Sequence, residues 1–279
     1  MKFIRASAGV RRLMWRLGRK LYTTARGEGS NDPRTNGEYW LLGHVLNTIP
    51  GPGVLLDVGA NRGDWTAHAL GLARASRGVH VHAFEPSLAT RAMLSARFAE
   101  NAAVTVQPYA LSDAVAEATF YSKEEGGGTN SLSPVSGVKQ ETVKVTTLDY
   151  FVQRSGLESI TMAKIDTEGF DLLVLRGAEK ALREGLIEVI QFEYNWRWLL
   201  NRASLRDVFE LVSDKPYRLG KLVGETIELY DVWHFELDRY FENNYVLIRR
   251  NSELCALGVE AHFDSANALV TSGPRQPVS

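Results

Sequence analysis

The sequence predicts an α/β fold: a doubly wound, mostly parallel sheet with an antiparallel last strand, preceded by helices. Three observations carry that expectation. From residue 54 onward, short apolar runs alternate with longer segments of helical period, as βαβ units require. The runs are nearly continuous in apolar residues, which fits strands covered by helices on both faces. The chain has 279 residues, 44% of them hydrophobic and 23% charged, which suffices for one large domain with appendages.

The elements follow in order. EYWLLGHVLNTI (38–49) reads as a helix stopped by Pro50-Gly51-Pro52-Gly53. VLLDVG (54–59) is a buried strand and residues 64–76 a helix. VHVHAFEP (79–86) is a strand, SLATRAMLSARFAE (87–100) a helix and AVTVQPYAL (103–111) a strand. ATFYS (118–122) and VKVTTL (143–148) flank a loop whose segment EEGGGTNSLSP (124–134) has the composition of a mobile lid. TTLDYFVQRSG (146–156) starts another helix. ITMAKID (160–166) is a strand, a helix follows to Glu184, and LIEVIQFEY (186–194) is again a buried strand. ASLRDVFELVSD is read as a helix, KPYRLG as a turn and NNYVLIRR as the last strand. Residues 264–279 lack periodicity and are expected to be disordered. Three segments result: 1–36, a basic helix and linker; 37–250, the main domain; 251–279, a tail.

Charge and cysteine content narrow the function classes. The net charge is −1, so no strong field attracts nucleic acid, and none is expected as a partner. The single cysteine, Cys255, cannot form an intrachain disulfide and fits a reducing, cytoplasmic compartment. No apolar run reaches the roughly 18–20 residues that span a bilayer. Residues 1–26 stand apart, with eight Lys or Arg and no acid. At about 100° per residue, Val10, Leu13, Met14, Leu17 and Leu21 share one face, and Arg5, Arg12, Arg16, Arg19 and Lys20 the other. Two readings remain open: a peripheral contact with an anionic membrane, or packing on the domain itself or on a second copy in a homodimer.

Ligands of open α/β sheets bind outside the carboxyl ends of the strands. Collected there are Asp57-Val58-Gly59-Ala60-Asn61-Arg62-Gly63, Glu85, Ser112-Asp113, Asp166-Thr167-Glu168-Gly169 and Glu193-Tyr194-Asn195. The first loop lacks the G-x-G-x-x-G of dinucleotide folds. It is framed by Asp57 and Asp64, which suit a cationic ligand carrying an amino group and a sulfonium, so it points to S-adenosylmethionine. Glu85 lies 22 residues beyond Gly63, where an acid can accept from both hydroxyls of a ribose.

These motifs, in this order, resemble the FkbM family of S-adenosylmethionine-dependent methyltransferases. The resemblance lies in VLLDVGANRGDWT, HAFEPS, ALSD, GGGTNSL, TTLDYF paired with AKIDTEGFDLLVLRGAEKAL, and IQFEYN, across residues 54–200, with a weaker echo in NNYVLIRR. It implies a class I methyltransferase fold and transfer of a methyl group to a hydroxyl, on a sugar, glycan, glycolipid or related small metabolite. A nicotinamide-dependent oxidoreductase and a non-catalytic cofactor-binding scaffold are the alternatives.

Asp57 and Asn61, with the Gly59 and Gly63 backbone, are expected to hold the methionine end of the cofactor. Glu85 is expected on the ribose, and Ser112 and Asp113 beside the adenine. In an extended segment Lys164, Asp166 and Glu168 point to one side. Asp166 is the first candidate for a residue at the reacting centre, near the methionine amine or as the base, and Glu168 the second, for substrate or as the base, with Lys164 keeping neighbouring carboxylates ionised. Asp171 reads as helix-start chemistry. Glu193, Tyr194 and Asn195 are expected to line the acceptor pocket, with His234 as a further candidate base from the tail. A metal is not favoured, although Asp166, Glu168, Asp171 and Glu193 could hold Mg²⁺.

Overall fold

The computed structural model describes residues 7–28, 30–48, 51–73, 78–122 and 139–273. The lid expected at 124–134 lies outside them. The alternation read from the sequence is present: β1 (Gly53–Val58), α3 (Asp64–Ala73), β2 (Val79–Phe84), α4 (Leu88–Arg97) and β3 (Val104–Gln107) lead into the sheet. After an excursion come β7 (Ile160–Ile165), the short helices α6 (Asp171–Arg176) and α7 (Glu179–Arg183), and β8 (Ile187–Tyr194). The pairings β3-β2-β1-β7-β8 are all parallel. The order reverses between β1 and β7, and the crevice at that switch point is where an α/β sheet takes a ligand.

NNYVLIRR forms β11 (Asn243–Arg249), antiparallel to β8 as expected. It is not the last strand. β9 (Tyr217–Leu222) pairs with its far edge, followed by β10 (Ile227–Tyr230), β12 (Gly258–Phe263) and β13 (Leu269–Ser272) in a ten-stranded sheet of the described residues. KPYRLG, expected as a turn, therefore supplies much of β9. Gly220 sits mid-strand because a Cβ there would meet Ile227 Cγ2 at 2.5 Å. Of residues 264–279, expected to be disordered, Leu269–Ser272 form β13, which pairs with β12, and only 274–279 lie outside the described residues.

Two further elements divide where single runs were expected. The strand at 103–111 breaks at Pro108, which has no N–H for a ladder. β4 (Tyr109–Leu111) then joins a second sheet, ordered β4-β6-β5, with β5 (Ala116–Ser122) and β6 (Lys139–Thr146). The helix after Asp166 splits at Gly177, where a Cβ would lie 2.0 Å from the Ser112 carbonyl oxygen. Asp149, in α5 (Leu148–Ser155), restarts it by accepting from the N–H groups of Lys180 and Ala181, both at 2.8 Å.

One face of the sheet packs on α2 (Glu38–Thr48), whose Leu41, Leu42 and Val45 are fully buried against Leu55, Met162 and Val189. At about 1.5–3 kcal/mol for each such side chain, this helix is anchored firmly over the switch point. The helix α1 (Ala8–Ala25) behaves differently and has no buried residue. No described helix is long and apolar enough to cross a membrane.

Candidate active site

The turn after β1 is built on backbone geometry that ordinary side chains resist. Gly59, Asn61 and Gly63 all have positive φ (82°, 47° and 79°). A Cβ on Gly59 would fall 2.0 Å from the carbonyl oxygen of Asp166, so only glycine lets the turns after β1 and β7 touch. Gly63 is required for another reason: its Cβ would strike Phe98 and Leu94 beneath it.

Glu85 closes this turn from the end of β2. Its carboxylate accepts the N–H of Asn61 at 3.1 Å and that of Ser87 at 2.9 Å. Burial pushes the carboxyl up to about 7 despite those two donors. Beside it opens a cavity of about 440 Å³ at the carboxyl ends of β1, β2, β7 and β8, within the size range of small-molecule sites. Two buried polar atoms on its wall, Asn61 Oδ1 and Trp65 Nε1, have no protein partner. Together with the Glu85 carboxylate they offer two acceptors and a donor to a ligand. That set fits the amino and ribose hydroxyl groups of S-adenosylmethionine.

Below the cavity, register aligns a polar row across three strands. Asp57 pairs with Lys164, and Lys164 with Gln191. All three lie on the face covered by α2, whose Glu38 accepts from Gln191 Nε2 at 2.9 Å. Lys164 Nζ donates to Asp166 Oδ2 at 3.0 Å. Burial works against this ammonium, but Asp166, Asp57 and Glu38 outweigh it and hold the pKa above its ordinary value. Asp57 is fully buried and accepts from Thr66 Oγ1 at 2.6 Å. Burial raises its carboxyl, with Lys164 opposing. The structure thus puts Asp57 behind the turn, holding Lys164 and Thr66, rather than on the cavity wall.

The acids after β7 separate. Asp171 is fully buried at the start of α6 and accepts from the N–H groups of Gly169 (3.2 Å) and Thr167 (3.4 Å). Burial and the nearby Asp166 push it up to about 7. It ties the turn to the helix, the helix-start role expected of it. Glu168 takes a left-handed φ of 57° and lines the cavity. A strained φ at a bulky residue persists only where neighbours impose it. Here the 3₁₀ turn Trp196–Asn201 does so. Arg197 pairs with Glu168 at 3.0 Å, and Asn201 Nδ2 donates to the Gly169 carbonyl at 2.8 Å. Burial, then Asp166, push the Glu168 carboxyl up to about 8 although Arg197 opposes.

On β8 only Glu193 reaches the cavity. Asn195 Nδ2 donates to it at 2.7 Å, and burial, with Asp166 and Asp171 beside it, raises its carboxyl well above the usual range. Tyr194 points to the opposite side of the strand and donates to Asp238 at 2.8 Å, while Asn195 Oδ1 caps the 3₁₀ turn through the Arg197 N–H. His234 stacks on Phe263, with centroids 4.5 Å apart, and is not on this wall. Ser112 and Asp113 are likewise apart, lining a separate shallow depression; Ala110 and Leu111 reach the cavity instead. Among the described residues, no group of three or more His, Cys, Asp or Glu side chains is arranged to hold a metal ion.

Other wall residues escaped the sequence reading. Asn36, Glu38 and Tyr39 come from the segment before β1, and Glu242, Asn243 and Asn244 from the start of β11. Glu38 looks in sequence like an ordinary first-turn acid. Only the sheet register, which sets Gln191 beneath it, reveals otherwise.

Glu85 gives a first expected result. Ribose hydroxyls donate best to an ionised carboxylate, so Glu85→Gln should weaken S-adenosylhomocysteine binding about 10–100-fold by calorimetry, the worth of one charge-assisted hydrogen bond. In the unaltered protein, affinity should fall as the pH drops below about 7, with binding there releasing a proton. Unchanged affinity in Glu85→Gln would reject the assignment.

A profile of the methyltransferase FkbM domain matches residues 57–219. Among solved structures, an FkbM methyltransferase from Methylobacillus flagellatus KT is 18% identical, with a TM-score of 0.46 over 75% of this chain and 47% of that one. The chain thus spans about half that protein's length. The precorrin-6y C5,15-methyltransferase from Geobacter metallireducens GS-15 is 10% identical over 80% of this chain and 94% of that one, with a TM-score of 0.40. M. capricolum TrmK, solved with S-adenosylhomocysteine, is 10% identical over 81% and 71%, with a TM-score of 0.40. No curated protein matches the chain. With more than half of its length inside that profile, from the strand bearing Asp57 to the strand bearing Leu219, the chain belongs to the FkbM family of S-adenosylmethionine-dependent methyltransferases.

Proposed function

We propose that the protein methylates a hydroxyl group, on a sugar, glycan, glycolipid or related metabolite, with Glu168 as proton acceptor. The observation that carries this reading is a carboxyl pushed up to about 8 on the wall of the cofactor cavity. A base works best when its pKa lies near the working pH. When bound, the cofactor supplies an activated methyl carbon, and the protein has to align the acceptor and remove its proton. Asp166, fixed by Lys164, orients the turn that carries Glu168. Glu193 and Asn244 offer acceptors and donors to neighbouring hydroxyls. Asp166, on the cavity wall, offers a carboxyl group to the cationic end of the cofactor. The lone Cys255 supports a cytoplasmic setting.

The test is mass spectrometry of hydroxylated glycan and lipid extracts incubated with the protein and S-adenosylmethionine. A gain of one methyl group on oxygen is expected. A gain on nitrogen or carbon would overturn the hydroxyl assignment. Cofactor binding without any product would favour a scaffold.

A further inference from the structure

The helix α1 carries a surface that the rest of the chain leaves uncovered. Val10, Leu13, Met14, Leu17 and Leu21 form one stripe and are each 47–66% exposed. An apolar stripe over about three helical turns is unusual on a surface unless something covers it. The helix is nevertheless seated on the domain. Tyr22 donates to Glu236 at 2.8 Å, and the Arg19 guanidinium lies 5.3 Å from the centre of the Phe241 ring. Just beyond, Lys221 Nζ donates to the Arg26 carbonyl at 2.8 Å and pairs with Glu28 at 2.7 Å. Tyr22 and Arg19 sit on the half of the helix away from the stripe. The domain therefore meets α1 near its carboxyl end, through the side away from the stripe, and leaves the stripe uncovered, together with Trp15 on the opposite face.

The charges decide what covers it. Lys20 and Arg11 flank the stripe, Arg12, Arg16 and Arg19 lie behind, and the helix contains no acid. Two copies packed stripe to stripe would bring these cations together with no carboxylate on either helix to answer them. An anionic lipid surface satisfies both features: the stripe enters the headgroup boundary and the flanking cations meet lipid phosphates. We infer that α1 docks this protein onto anionic membranes, stripe inward. Phe241, the seat of the helix, directly precedes the cavity-wall residues Glu242 and Asn243. Docking thus brings the cavity close to the bilayer. The inference is independent of which acceptor is methylated.

The experiment is co-sedimentation of the full chain with vesicles of phosphatidylcholine containing phosphatidylserine, against phosphatidylcholine alone. Pelleting is expected only with the mixed vesicles. It should drop about tenfold or more in Leu17→Glu and in Arg11→Glu/Lys20→Glu, and be lost near 1 M salt, where charges are screened within about 3 Å. S-adenosylhomocysteine affinity should stay unchanged in both variants, since none of these residues touches the cavity; this control shows that the fold is intact. A wild-type chain that stays in the supernatant overturns the inference, as does Leu17→Glu pelleting like wild type. A solution dimer that Leu17→Glu dissociates overturns it in favour of a second copy.

Discussion

Glu168→Gln is expected to lower the rate of methyl transfer about 10²–10⁴-fold, the usual contribution of a positioned acid or base. The substitution keeps the side chain's length and its capacity to accept from Arg197, so the turn should hold its left-handed geometry. Cofactor affinity should survive, because Glu85 and the turn after β1 are untouched. The wild-type rate should rise about tenfold per pH unit up to a plateau near 8, as the Glu168 carboxyl ionises. In Glu168→Gln that limb should vanish. A rate unchanged by the substitution would remove Glu168 from the chemistry. The same assay after exhaustive chelation addresses Mg²⁺: activity should persist, and its loss and recovery with Mg²⁺ would return Asp166, Glu168 and Glu193 to a metal role.

Lys164→Met is expected to cost about 3 kcal/mol of stability, the lower end of the penalty for removing one partner of a buried ion pair, because water reaches Asp166 and screens it. For a chain of this size the melting temperature should fall on the order of 10 °C. The methionine replaces the aliphatic stem well, so the loss is electrostatic: Asp166, Asp57 and Glu38 lose the cation they surround. With it gone, the carboxyl groups of Asp57 and Glu38, which burial already raises and Lys164 opposes, rise further above those of the unfolded chain. Stability from such groups is greatest at low pH and is lost as the pH climbs through their folded values. The deficit should therefore be smaller at pH 5 than at pH 8. Adding Asp166→Asn to Lys164→Met should cost less than the two single changes summed, because each removes the other's partner. Full additivity in thermal melts would show that the pair is not coupled.

The separate fates of the acids explain how much of the site was legible in advance. The place of Glu85 and Glu168 on the cavity wall was readable because each follows the carboxyl end of an apolar parallel strand, where ligands bind. The helix-start role of Asp171 was readable from its place in the turn. Tyr194 and Asn195 were grouped with Glu193 because they are adjacent. Alternation along β8 sends Tyr194 to Asp238 instead, and the 3₁₀ turn claims Asn195. Ser112 and Asp113 were displaced by the break at Pro108, which diverts β4 into a second sheet.

Local sequence determined the alternation of strands and helices, the glycine turn and the acids at the strand ends, because these depend on periodicity and on the backbone freedom of single residues. The ion cluster beneath the cavity was decided by tertiary structure. Asp57, Lys164 and Gln191 come together through strand register, and Glu38 joins them only because α2 packs over that row. Each is distant from the others in sequence, so no local pattern could bring them together. The amphipathic period of α1 is likewise written in the chain. Which side of it the domain would grip depended on Glu236 and Phe241, more than two hundred residues away, since burial is a property of the folded surface.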